Sequence, residues 1–212
     1  NSSGSLSNCK RGTLASNSVK IKIGILPVLD EIKKVKQRIR ILPDECMVRL
    51  DANGSFTLGD LNRWIEAFET EPRIQYIEQP LQDHFREKLF EISKVSPVPL
   101  AIDETVIALG SPQLAKDNGW LGFYILKPTL LNDWSDTINF AKNNSQAVFS
   151  TVFETPFGYE ALIRAAISST LDAGISRKHF AHLSTELSCH HQKKINVPAA
   201  DQIQLHELWN RI

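Results

Sequence analysis

Three acidic residues each close a short apolar run: Asp51 in MVRLDANG, Glu78 in IQYIEQPL and Asp103 in PLAIDET. Their positions give separations of 27 and 25 residues, too far for one helix and close to the roughly 25 to 30 residues of a strand and helix unit. Three carboxylates so spaced would stand at the C-terminal ends of three successive parallel strands, the mouth of an α/β barrel. Converging hard oxygen ligands, with room left for water and substrate, favour Mg²⁺.

Lysines bracket the set. In VKIKIG, Lys20 and Lys22 share one face of a short strand while Val19, Ile21 and Ile23 share the other. In a barrel the apolar face packs outward on helices and the lysines point inward, toward the carboxylates. Lys127, in FYILKP, follows Asp103 by 24 residues. Counted on a period of two, Lys22, Asp51, Glu78, Asp103 and Lys127 each take the last inward position of their strand.

The elements that must position these residues follow one grammar. LDEIKKVKQRIR (29–40) places Leu29, Ile32, Val35 and Ile39 at helical spacing behind a basic face. Thr57 and Asp60 form a capping box for a helix whose inner stripe is Leu58, Leu61, Ile65 and Phe68. Strand then helix recurs as IQYIE and 83–94, PLAIDE and 105–117, FYILKP and LLNDWSDTINFAKN, then AVFSTVFE and GYEALIRAAISST. The expected domain plan is a leader or truncation remnant over 1–18 and a partial (β/α) barrel over 19–212.

The bulk numbers agree with a small-molecule enzyme. The 212 residues carry 24 basic and 24 acidic side chains, a balance without the electrostatic footprint of a nucleic-acid or anionic-membrane binder. Cys9, Cys46 and Cys189 are odd in number and lack a CxxC spacing, which argues against a disulfide framework or structural zinc and fits a reducing compartment. Cys189, His190 and His191 lack a second ligand pair at zinc spacing and read as surface. No apolar run reaches the roughly 18 residues of a membrane span.

A metal among Asp51, Glu78 and Asp103 could bind a substrate carboxylate and stabilise the enediolate formed when the neighbouring proton is removed. The base must be neutral near pH 7, and lysine meets that need beside other positive charge and partly out of water. Lys20 would supply that charge to Lys22. Lysines on opposite sides permit one-base chemistry, the second lysine acting as an electrostatic stabiliser, or two-base racemisation.

The series KIKIG, RLDANG, IEQP, AIDE and ILKP resembles the enolase superfamily in its muconate-lactonising subgroup. VRLDANGSFT, YIEQPL, VPLAIDETV, GWLGFYILKPTLL and VFSTVFETPFGYEA are most similar to the cyanobacterial-type o-succinylbenzoate synthases of menaquinone and phylloquinone biosynthesis, over residues 19 to about 170. The resemblance implies an enolase-type (β/α) barrel and a small carboxylate substrate. It makes Asp51, Glu78 and Asp103 the Mg²⁺ ligands, Lys22 the general base and then acid, and Lys127 the stabiliser on the opposite face. Arg49, Asn53, Ser150 and Thr151 would hold the substrate. The implied reaction is the syn dehydration of 2-succinyl-6-hydroxy-2,4-cyclohexadiene-1-carboxylate, in a cytoplasm or plastid stroma.

Racemases, dipeptide epimerases and cycloisomerases of the subgroup share both lysines and stand as the alternative. Family members also carry a capping domain and a first barrel strand ahead of the KxK strand, whereas eighteen residues precede Val19 here. The expectation is therefore an incomplete barrel lacking both, with HFAHL as a candidate last strand. A non-catalytic fragment is the third reading.

Overall fold

A computed structural model describes residues 18–152, 154–167, 169 and 171–175. Residues 1–17 of the expected leader, HFAHL and the Cys189, His190, His191 cluster lie outside the described residues, whereas Ser18, expected in the leader, begins the first strand.

Apolar β-branched and aromatic runs alternate with amphipathic segments along the chain, and they form strand and helix in turn. The strands are β1 (Ser18–Lys22), β2 (Met47–Asp51), β3 (Ile74–Glu78), β4 (Leu100–Ile102), β5 (Phe123–Leu126) and β6 (Ala147–Phe149). They lie side by side in chain order, every pairing parallel. The helices are α1 (Val28–Arg40), α2 (Leu58–Phe68), α3 (Arg86–Ser93), α4 (Glu104–Leu109), α5 (Pro112–Asp117), α6 (Trp134–Lys142) and α7 (Pro156–Ala166). The result is a curled parallel sheet, a partial α/β barrel.

After α7 the chain returns beside β6. The Gly174 N–H donates to Phe149 O at 2.7 Å, and the Thr151 N–H to Gly174 O at 3.4 Å. Ser18 Oγ at the start of β1 donates to Asp172 Oδ2 at 3.4 Å. The sheet thus curls far enough for β1 to meet the segment after α7.

Side-chain alternation divides the core in two. Outward residues such as Ile21, Leu50, Ile77, Leu100 and Leu126 pack beneath the helices with Ile32, Val35, Leu61, Trp64 and Phe140. Trp64, fully buried, anchors α2 by stacking between Phe56 and Phe68 at centroid distances of 5.6 and 5.5 Å. The inward residues Tyr76, Ala101, Phe123, Ile125, Val148 and Leu171 form a second cluster. That inner layer is the floor under the strand ends.

Thr57 and Asp60 do form the reciprocal capping box. Leu29 is a correction: it is 70 % exposed rather than inward, because the buried carboxylate of Glu31 turns into the preceding loop and accepts the N–H groups of Gly24, Ile25 and Leu26. The single helix expected over 105–117 is two. Gly110, at φ 76°, ends α4 in a left-handed cap, and Ser111 with Pro112 starts α5; glycine accommodates that φ without steric cost.

Candidate active site

Register across the sheet puts Lys22 opposite Asp51 and Asp51 opposite Glu78. One tier below, Lys20 pairs with Arg49 and Arg49 with Tyr76. Glu78 faces Ala101, so Asp103 stands two residues further along, just past β4. Lys127 follows β5 in the same way. Asp103 and Lys127 share the parity of the inward residues Ala101, Phe123 and Ile125, so all five charged residues arrive at one rim.

Their environments differ sharply. Asp51, Glu78 and Asp103 are buried. Lys127 Nζ lies 2.6 Å from Asp103 Oδ2. The more exposed Lys22 approaches Asp51 Oδ2 at 4.0 Å. Lys20 reaches between two carboxylates, 2.7 Å from Glu78 Oε1 and 3.0 Å from Asp51 Oδ2. What the structure shows of Lys20 is this double ion pair, a role the sequence reading did not give it.

Burial, reinforced by the charges of Asp51 and Asp103, pushes the Glu78 carboxyl up to about 7 against the pull of Lys20. Burial also raises Asp103, against the opposing ammonium of Lys127. For Lys20, desolvation would lower the pKa, but the charges and hydrogen bonds of Glu78 and Asp51 outweigh it and lift it well above the ordinary lysine value. Three crowded acids therefore lean on cations for compensation, as buried charge requires.

That need is the test for a divalent ion. Asp103 Oδ1 is buried without a hydrogen-bond partner, and the donors are all hard oxygens of the kind Mg²⁺ takes. As placed, no three acidic, imidazole or thiol side chains among the described residues group around one point; Lys20 holds two of the three carboxylates. The chemistry of the residues fits Mg²⁺ if the flexible Lys20 side chain yields its partners.

Of the residues expected to hold substrate, Arg49 lies in the tier below the rim, 4 % exposed. Its Nε donates to Gln75 Oε1 at 2.6 Å, its guanidinium lies 5.4 Å from the Tyr76 ring centre, and its Nη2 is buried without a partner. Asn53, at φ 45°, donates from Nδ2 to Glu104 Oε1 at 3.1 Å. Ser150 and Thr151 are half-buried just past β6, where the Ser150 N–H donates to Leu126 O, next to Lys127, at 2.9 Å.

Sequence reasoning missed Gln79, Thr105, Gln75 and Tyr76. The one available signal was adjacency, since Gln79 follows Glu78 and Thr105 lies two residues after Asp103. Gln79 and Asn53 are the positive-φ residues other than glycine among the described residues, and each follows a strand-ending carboxylate.

A family model described as enolase C-terminal domain-like matches residues 9–141. The chain is 28 % identical over 186 residues to o-succinylbenzoate synthase of Thermosynechococcus vestitus, an alignment covering 81 % of this chain and 56 % of that protein. It is 24 % identical over 156 residues to L-amino acid-D/L-Glu epimerase of Sulfurimonas denitrificans, covering 71 % of this chain and 44 % of the relative. Among solved structures, o-succinylbenzoate synthase of Thermosynechococcus elongatus BP-1, complexed with Mg in its active site, superposes with a TM-score of 0.69 at 24 % identity, covering 92 % of this chain and 59 % of the other. The chain spans about half the length of the curated relatives it matches.

Proposed function

The chain belongs to the enolase C-terminal domain-like family, and from that premise we propose that it carries the catalytic face of a Mg²⁺-dependent carbon-oxygen lyase of the o-succinylbenzoate synthase type. One observation carries the reading: a rim on which Lys22, Asp51, Glu78, Asp103 and Lys127 stand in chain order, ion-paired at both ends. Asp51, Glu78 and Asp103 would hold the ion. Bound there, it would supply positive charge that acidifies the proton next to a substrate carboxylate.

The protein's own groups divide the remaining work. Lys22, the more accessible lysine at the carboxylate row, takes that proton in its neutral form and returns it to the departing hydroxyl on the same face, so that water leaves. Lys20, ion-paired to Glu78 and Asp51, keeps positive charge at the carboxylate row beside Lys22. Lys127, from the opposite side, faces the negative charge that builds on the substrate carboxylate. Arg49, Asn53, Ser150 and Thr151 orient the rest of a small carboxylate substrate. The cyclohexadiene acid of the menaquinone and phylloquinone pathway is the proposed substrate, in a cytoplasm or plastid stroma; among the described residues no helix is long and apolar enough to cross a membrane.

Racemisation or epimerisation is the second reading, favoured by lysines at both ends of the row and by the epimerase relative. The deciding assay offers the protein, with Mg²⁺, the cyclohexadiene substrate beside N-acyl amino acids and dipeptides in deuterated water. Aromatic product from the first supports the lyase. Exchange of an α-proton with inversion and no dehydration would replace the lyase by the second reading.

A further inference from the structure

We propose that Gln79 is a positioning residue that sets the Asp103 carboxylate against Glu78, an inference that rests on the three-carboxylate reading above. Gln79 follows the strand-ending Glu78 and is 1 % exposed. Its amide uses its full hydrogen-bonding capacity. Oε1 accepts the backbone N–H groups of Asp103 at 2.9 Å and Thr105 at 3.1 Å. Nε2 donates to Leu81 O at 2.8 Å and Thr105 Oγ1 at 2.9 Å.

The backbone of the same residue reaches β4 on one side and the turn after β2 on the other. Gln79 N–H donates to Ala101 O at 2.8 Å, and Gln79 O accepts from Gly54 N–H at 2.6 Å. One residue thereby ties together the three turns that follow Asp51, Glu78 and Asp103. It does so at φ 37°, in the left-handed region that carries a steric cost for a residue with a Cβ. Glycine would relieve that cost but could not make the four side-chain bonds.

The contact to the Asp103 N–H bears on function because it fixes where the Asp103 side chain starts. Asp103 has one oxygen on Lys127 and one buried without a partner, so its direction is not set by a cage of its own side-chain bonds. A neutral, fully bonded amide can hold that turn without adding charge to a crowded acidic site.

Mg²⁺ binding to the protein, measured calorimetrically without substrate, tests the proposal. Gln79→Met keeps the bulk and removes the amide; the expected loss of Mg²⁺ affinity is about 10- to 100-fold, as for partners that orient metal ligands. Thr105→Val, which removes one acceptor, should lose less and serves if Gln79→Met does not fold. Val35→Ala, on the buried face of α1, is the control for lost stability and should bind within about twofold of wild type. Amide exchange at Asp103 and Thr105 should accelerate in the Gln79 variant. Gln79→Met, or Thr105→Val in its place, binding Mg²⁺ like wild type would overturn the role of Gln79 alone, as would an equal loss in Val35→Ala. Wild-type protein that fails to bind Mg²⁺ at millimolar concentration would overturn the three-carboxylate reading and this inference with it.

Discussion

Asp51, Glu78 and Asp103 are buried acids with ammonium groups as their closest opposite charges, and that arrangement has a measurable consequence for pH. Glu78 is raised from 4.5 to about 7. Between those values the folded state keeps a proton that the unfolded chain releases, so stability falls as pH rises across the window and the penalty is complete above it. In chelator, urea midpoints should decline from pH 5 to pH 8, and the decline should be shallower in Glu78→Gln; equal slopes would mean that Glu78 ionises normally. Lys22→Ala should lower turnover by about 10²- to 10⁴-fold, the usual worth of a general base, while Mg²⁺ affinity stays within a few-fold. Steady-state rates beside calorimetry separate the two effects, and an active Lys22→Ala protein would remove Lys22 from the role.

The elements owe their placement to local signals joined by a few long-range bonds. The capping box of Thr57 and Asp60 starts α2, whose Trp64 enters the outer core stacked between Phe56 and Phe68. Thr57→Ala should cost about 1 kcal/mol, read from urea unfolding, with activity per folded molecule unchanged. At α1 no side chain caps the N-terminus; Glu31 organises the loop before it. Helical periodicity assigned Leu29 inward because a stripe at i, i+3 and i+4 is ambiguous at its first turn. The competing fact, Glu31 folded back onto three backbone N–H groups, could not be read from spacing. Splitting 105–117 was legible in principle, since Gly110, Ser111 and Pro112 are stop and start signals in sequence.

At the scale of the molecule, the curled parallel sheet converts six strand ends into one face, and the inner cluster of Tyr76, Ala101, Phe123, Ile125, Val148 and Leu171 closes the space beneath it. A ligand that binds only the folded face stabilises the whole fold by mass action. Mg²⁺ at about 100 times its dissociation constant should add about 2.7 kcal/mol, seen as a thermal midpoint that climbs with the logarithm of Mg²⁺ concentration. Ca²⁺ tests for size selectivity, since it tolerates a looser cage. A midpoint insensitive to Mg²⁺ would exclude the ion from the site.

The sequence by itself determined the strand and helix order, the inward parity of Lys22, Asp51, Glu78, Asp103 and Lys127, and the outward apolar faces. These follow from periods of two and 3.6 that the backbone imposes on any chain. Only the tertiary structure decided that Lys20 lies between Asp51 and Glu78, that Arg49 rests on Tyr76 below the rim, and that Gln79 laces three turns together. Those contacts join residues from different strands and turns. Their geometry depends on the stagger of neighbouring strands and on which rotamer each long side chain takes, and neither is encoded in local spacing.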